Sequence, residues 1–477
     1  MRGPAGTPGS GQLRGRIPTL GWVAIAIAAA MRIDNALRYR TRMGFDAVEN
    51  FEYVRKLLVS WTLPPPDASW ATSHPPLFYY ASAAIGRGLA AVDLTPALVW
   101  VVPLCSSALG FAAAWAVYQL VLRTKPDAEP QAWLAALLVL FAPVHVYMSA
   151  MFSEEILAST LSSLAIVAAA LFTITIPSSI ETPSATPSIA MPSPQGDARP
   201  RLAAAAAIGA LAGLAWLTKL SGVLALAAIF AAWAISAWRL GRWRSAVAPL
   251  AALALAGVLL GGWFYARNLA TYGYIYPQDL SVHAIMFEMP PGERGVFDYV
   301  YLPFATWTDP QLLNADLLKS VWGSTFATLW FDGHRHFLPH SVAASHAGSA
   351  LLMLALVPTA AFAVGALRGA RRWWADPSTA DGPLLALLLF TLVGYVAFTA
   401  SNPWFATLKG SYMLGAVVPF AFYTSEGLMG WMSGGGWRAK CVGAALVALF
   451  IGVTLVFSIG LVFTKIDATG LPWRTAA

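Results

Sequence analysis

The chain has 477 residues, 58% of them hydrophobic and only 11% charged, with a mean hydropathy of +0.62. A soluble domain carries about 25% charged residues, so this composition excludes a soluble globular enzyme and points to a polytopic membrane protein. The formal net charge of +7 does not indicate nucleic acid, because many basic residues sit in short loops between apolar runs, where they orient helices.

Segment 1–17 is a basic tail, and the apolar run after it passes straight into MRIDNALRYR with no small-residue cleavage site. It reads as an uncleaved first helix. Runs near the roughly 20 residues a bilayer needs predict about eleven spans, at 18–33, 96–122, 131–148, 154–175, 202–218, 221–238, 245–266, 346–367, 383–400, 411–430 and 441–463. The expected fold class is an all-α polytopic membrane protein, with amphipathic helices in the first outer loop, 32–95, and a long outer loop, 267–345. One set of short loops holds Arg123, Lys125, Arg239, Arg242, Arg244, Arg368, Arg371, Arg372, Arg438 and Lys440, while the alternating set holds only Lys219 and Lys409. The bias places the N-terminus in the cytoplasm and both long loops, with the 464–477 tail, outside. The Pro/Ser/Thr-rich stretch 176–201 reads as a disordered cytoplasmic linker between an N-terminal bundle, 18–175, and a C-terminal bundle, 202–463. The two cysteines, Cys105 and Cys441, lie inside apolar runs and offer no disulfide framework, and no phosphate-binding GxxxxGK[ST] loop occurs.

Against this apolar background, three outer-face features carry chemistry. In FDAVENFEYVRK, helical spacing puts Asp46, Glu49, Tyr53 and Lys56 on one face, with Phe45, Val48, Glu52 and Arg55 beside it. A solvated helix lying on the headgroups would show the same pattern. Glu154 and Glu155 open an apolar helix behind Ser153. Capping explains one of them, but helix geometry turns neighbours about 100° apart, so the other is expected to face the bundle interior. Lys219, Arg267 and Lys409 end or begin spans on the outer face, against the orienting bias. Snorkelling accounts for one such residue; three facing a carboxylate-rich loop suggest an anion site suited to a lipid-linked phosphate. His74 precedes Pro75-Pro76, which stiffens the backbone. The FDGHRHFLPH cluster, with Asp332, His334, His336 and His340, reads as interfacial rather than metal-binding, and His145 as a satisfied helix histidine. Outer-loop aromatics such as Tyr79 and Tyr80 suit either a membrane belt or a sugar platform.

In order, these segments (an outer-loop Asp, HPPLFYY, an acidic pair opening a span, GLAWLTKLSG, WFYARN and LKGSYMLG) resemble the membrane glycosyltransferases of the C-type fold, the broad group of protein O-mannosyltransferases and lipid A aminoarabinose transferases. The resemblance implies an inverting transferase that moves a sugar from a polyprenyl-phosphate donor to a lipid, glycan or protein acceptor at the outer face of a bacterial-type plasma membrane. It makes Asp46 the essential first-loop acid and Glu155 or Glu154 the second. The residues themselves make Lys219, Arg267, Lys409 and Tyr412 the candidates for the lipid phosphate, and His74, Pro75, Tyr79 and Tyr53 the candidates for the donor and acceptor pocket. Where relatives often read DExxH this chain reads DAVEN, so Ala47 and Asn50 depart from the pattern. Glu49 is the candidate replacement for the missing acid. No cofactor follows from the residues, and a divalent metal stays open. A transporter or flippase, or a noncatalytic lipid-binding scaffold, are the alternatives: the first predicts charges at the bilayer midplane, the second no turnover.

Overall fold

The computed structural model describes residues 10–39, 43–174, 198–275, 294–311 and 314–458. The disordered linker expected over 176–201 and the outer tail expected over 464–477 fall largely or wholly outside these residues. Among the described residues the chain is helical throughout, with no strand. The helices are α1 (Ser10–Arg38), α2 (Ala47–Val59), α3 (Leu77–Ala90), α4 (Leu98–Thr124), α5 (Glu129–Leu140), α6 (Pro143–Ala150), α7 (Glu155–Ile174), α8 (Ala198–Thr218) and α9 (Val223–Arg239). They continue as α10 (Trp243–Gly257), α11 (Trp263–Tyr272), the short α12 (Ala305–Thr308) and α13 (Ala315–Leu318), α14 (Val321–Trp330), α15 (Val342–Ala375), α16 (Asp381–Ser401), α17 (Val417–Met432) and α18 (Gly436–Phe457).

Nine stretches among the described residues are long and apolar enough to cross a membrane, or ten if α5 and α6, bent by 50°, count as one span. Each of the eleven expected spans has a helical counterpart, but two differ from expectation. The 131–148 span breaks at Ala142-Pro143, because proline removes a helix donor and disfavours helical geometry in the residue before it. The 411–430 span loses its first turns: Gly410–Ala416 is wound as a 3-10 helix, leaving α17 with 16 residues.

One continuous buried cluster runs through both expected bundles. Lipid offers no hydrophobic drive for helices to meet, so close packing depends on small residues at the contacts. A Cβ on Gly209 would lie 2.1 Å from the Leu253 carbonyl oxygen, where α8 crosses α10. A Cβ on Gly365 would lie 1.9 Å from the Tyr423 carbonyl oxygen, where α15 crosses α17. At the end of the bundle opposite the first outer loop, Lys125 reaches Glu426 at 3.1 Å, and Arg372 forks onto Asp381 (3.0 and 2.8 Å) and Glu426. This ties α4, α15, α16 and α17 together.

α2 and α3 pack side by side over the end of this bundle. The buried face of α2 is Ala47, Asn50, Tyr53, Val54 and Leu57. This corrects the expected stripe: Tyr53 turns inward, Glu49 and Lys56 sit half-buried on the flanks, and Asp46 is not on the helix at all. The neighbouring stripe also divides, with Phe45 buried and Glu52 paired with Arg55 at 3.0 Å on the exposed side.

Candidate active site

Beneath α2 lies a cavity of about 390 Å³, walled by residues that are far apart in sequence. Asp46, Asn50, His74, Glu154, Glu155, Lys219, Lys409 and Tyr412 give it a charged end. Leu220 from the turn before α9, Val223 and Leu224 of α9, and Gly394 and Phe398 of α16 give it an apolar wall.

Asp46 stands just before α2 with φ 52° and ψ 22°, a left-handed conformation that costs an ordinary residue roughly 1–2 kcal/mol and that Asp tolerates better than most. Gly44, two residues earlier, has φ 111°. The chain therefore turns sharply ahead of the helix and delivers the carboxylate into the cavity rather than along the α2 face. Its Oδ2 lies 3.8 Å from Lys409 Nζ. Burial raises the Asp46 pKa, but Lys409, His74, Lys219 and His336 together outweigh it, and the net shift is downward.

The two lysines are held at breaks between helices. Lys219 is extended (φ −153°) between α8 and the 3-10 turn Leu220–Gly222; a Cβ on Gly222 would sit 2.2 Å from the Ala215 carbonyl carbon, so the tight turn needs glycine there. Lys409 is extended (φ −132°) before the Gly410–Ala416 turn. An extended residue between two helical segments aims its side chain across the bundle rather than along it. Lys219 makes a close ion pair with Glu155 and lies 3.7 Å from Glu154. Lys409 Nζ sits 4.5 Å from the Phe45 ring, and both ammonium groups lie about 5 Å from the Tyr412 ring (5.0 and 5.1 Å).

Both glutamates face the cavity, which corrects the expectation that one would only cap. Ser153 Oγ accepts from the Glu155 N–H at 3.3 Å and performs the capping. Each glutamate is only 6% exposed. Ser411 Oγ donates to Glu155 at 3.1 Å, while Glu154 Oε2 has no partner among the described residues. Burial lowers the Lys219 pKa, but Glu155 and Glu154 reverse this, and the ammonium is held protonated.

Four expected site residues do not line the cavity. Arg267, on α11, reaches Asn268 Oδ1 (3.4 Å) and Tyr272 OH (3.3 Å). Glu49 is half-buried on the flank of α2. Tyr53 and Tyr79 stand behind the wall, stacked at 4.0 Å. His74 and Pro75 do line it. Asn50, treated in the sequence as a departure, lines the cavity too, along with Ser73, Tyr395, Asn402 and Trp404, which sequence reasoning missed. For Asn50 the signal was present: it lies three residues before Tyr53, on the face that α2 buries.

The FDGHRHFLPH segment is a folded loop. Asp332 accepts the backbone N–H groups of His336 (3.2 Å), Phe337 (2.6 Å) and Leu338 (2.7 Å), so its carboxylate is committed. His334 and His336 flank Phe45, at 5.0 and 4.5 Å between ring centres. His145, expected to be a satisfied helix histidine, pairs with buried Arg32 at 3.2 Å, and its Nε2 has no partner among the described residues. Among the described residues no three His, Cys, Asp or Glu side chains converge to hold a metal. In the main cavity two ammonium groups stand between the carboxylates, so the residues present do not fit a metal-ligand set.

No protein-family model and no curated protein matches the chain. Solved structures do. The archaeal oligosaccharyltransferase AglB from Archaeoglobus fulgidus, in complex with an inhibitory peptide and a dolichol-phosphate, superposes with a TM-score of 0.51 at 13% identity, over 93% of this chain and 56% of that one. The same organism's oligosaccharyltransferase tethered with an acceptor peptide gives 0.52 at 12% identity, over 93% and 55%. ArnT from Cupriavidus metallidurans bound to undecaprenyl phosphate gives 0.48 at 14%, over 93% and 77%. The chain thus spans little more than half the length of the oligosaccharyltransferases, and at such identities the likeness concerns the fold. The chain is an integral membrane protein with the C-type fold of membrane glycosyltransferases.

Proposed function

We propose that the chain is an inverting glycosyltransferase that moves a sugar from a polyprenyl-phosphate donor to a hydroxyl-bearing acceptor at the extracytoplasmic face of the membrane. The observation that carries this reading is the cavity itself: a carboxylate on a strained turn, a buried and a half-buried lysine opposite it and an apolar wall beside them. A phosphate ester of a long lipid has these two chemistries joined in one molecule. The dolichol-phosphate in the A. fulgidus complex is a ligand of the same class.

In this reading the donor phosphate lies between Lys409 and Lys219, with Tyr412 beside it, and the first isoprene units follow Leu220, Leu224 and Phe398 toward lipid. Glu154 and Glu155 hold Lys219 in place. The acceptor hydroxyl approaches from the Asp46 side. Its oxygen bonds to the anomeric carbon, its proton passes to Asp46, and the bond from that carbon to the phosphate oxygen breaks. The electron pair leaves with the lipid phosphate, whose added negative charge the lysines stabilise. A single displacement from the opposite face inverts the anomeric centre. The short-loop charge bias supports an outer location for this end of the bundle, with the N-terminus in the cytoplasm.

The test is a panel of radiolabelled polyprenyl-phosphate sugars offered to the purified protein in nanodiscs with mixed acceptors. Release of lipid phosphate from one donor, with the sugar inverted in the product, supports the reading. Failure of every donor to bind would refute it.

A further inference from the structure

We propose that His74 presents an unprotonated Nε2 to the cavity as the acceptor for a hydroxyl of the donor sugar, and that Asn50 and Tyr79 are positioning residues that fix this tautomer. The identity of the occupant rests on the transferase reading; the tautomer does not.

Four groups, bonded in series, fix the tautomer. The Phe152 carbonyl can only accept, so the Asn50 atom 3.1 Å from it is the Nδ2 amide, which donates. That turns Asn50 Oδ1 toward Tyr79, 2.7 Å away, and a carbonyl oxygen there can only accept the phenol proton. A phenol has one proton. Its oxygen therefore meets His74 Nδ1, at 3.1 Å, as an acceptor, and Nδ1 must carry the hydrogen. Glu154 Oε1, 4.0 Å from the same nitrogen, favours the same placement. Burial lowers the His74 pKa, and Lys219 and Lys409 add to this against Glu154 and Asp46, so the neutral ring prevails at pH 7. A neutral ring protonated at Nδ1 has a bare lone pair at Nε2. That nitrogen has no hydrogen bond among the described residues, and the ring lines the cavity.

A bare imine nitrogen accepts and does not donate, so its occupant must bring a proton: a phosphate oxygen is refused and a hydroxyl is welcomed. The nucleophilic hydroxyl has a single proton, which goes to Asp46. The hydroxyl at His74 is therefore a different one, on the transferred sugar. The cavity is sorted accordingly, with donors (Lys219, Lys409) for phosphate and acceptors (Asp46, His74) for hydroxyls. Asn50 is the first member of the chain that orients His74.

The test is 15N NMR of histidine-labelled protein in nanodiscs, without substrate, with His74→Asn used for assignment. In the wild type above the His74 titration, Nδ1 should be the protonated nitrogen. In Asn50→Leu the Tyr79 proton is free to turn to Nδ1, and the ring proton should move to Nε2. Tyr79→Phe should abolish the preference. A wild-type ring protonated at Nε2, or a tautomer indifferent to both substitutions, would overturn the proposal. Undecaprenyl phosphate alone should leave the Nε2 resonance in place; a shift would assign His74 to the phosphate side and overturn the hydroxyl subsite. In turnover, His74→Asn keeps a donor toward Tyr79 but lacks Nε2, and kcat/KM for the donor should fall at least tenfold. An unchanged kcat/KM would also overturn it. A protein without transfer activity but with the stated tautomers would refute the functional reading alone.

Discussion

Lys219 is the group whose removal separates architecture from chemistry. Its ammonium neutralises Glu155 and lies 3.7 Å from Glu154, with the lysine side chain 15% exposed and the glutamates 7 and 8%. Replacing Lys219 by methionine keeps the stem but leaves two neighbouring carboxylates buried without a counter-charge. Breaking a buried pair in this way costs about 3–5 kcal/mol. The double variant Lys219→Met/Glu155→Gln removes one stranded charge and should recover most of the lost stability. It should not recover turnover, because the charge opposite the leaving phosphate is still missing, a loss on the order of 10²–10³ in rate. Thermal unfolding in detergent at pH 8, with donor turnover on the same samples, gives both readouts. A double variant that regained stability and activity together would show that Lys219 serves only to neutralise Glu155. A single variant as stable as wild type at pH 8 would refute the ion pair.

Further outcomes follow from particular contacts. Lys409→Ala should reduce turnover far more than Arg267→Ala, since only Lys409 lines the cavity; equal losses in a donor kinetics comparison would put Arg267 in the site. Gly365→Ala pushes a Cβ into the Tyr423 carbonyl at 1.9 Å and should cost about 1–3 kcal/mol in thermal unfolding, whereas Gly443→Ala meets nothing within 4 Å and should be neutral or slightly stabilising. The folded His74 pKa lies below its ordinary 6.5, so the folded state loses stability as pH falls from 6.5 through the lowered value. His74→Gln should flatten that part of a stability-against-pH curve; an unaltered slope would place the ring in contact with water.

The membrane architecture was legible because twenty-residue apolar runs have one stable fate in a bilayer, and because each expected span has a helical counterpart. The breaks were less legible. Pro143 was readable as a helix stop, but nothing local marks Gly410–Ala416 as a 3-10 turn. That turn follows from where Lys409 must point. Within the site, Asp46, the Glu154-Glu155 pair, Lys219 and Lys409 stood out because charge next to a bilayer is costly. Their pairing was not readable, since Lys219 lies 64 residues from Glu155 and Ser411 lies 256 from it. Arg267 looked equivalent to the two lysines in the sequence. It rides on a helix, however, while they occupy extended breaks, and the backbone geometry sends it elsewhere. Asp46 was expected on the α2 face, and its left-handed turn depends on Gly44 and the packing of Phe45 between two histidines from a distant loop.

The most direct test of the central claim compares wild type and Asp46→Asn in nanodiscs with the polyprenyl-phosphate sugar that the donor panel identifies, measuring donor binding and sugar transfer on the same preparation. Proton removal by a positioned base contributes about 10²–10⁴ in rate. Donor affinity should stay within a few-fold of wild type, and transfer should fall by at least ~10². Transfer at the wild-type rate in Asp46→Asn would contradict that claim.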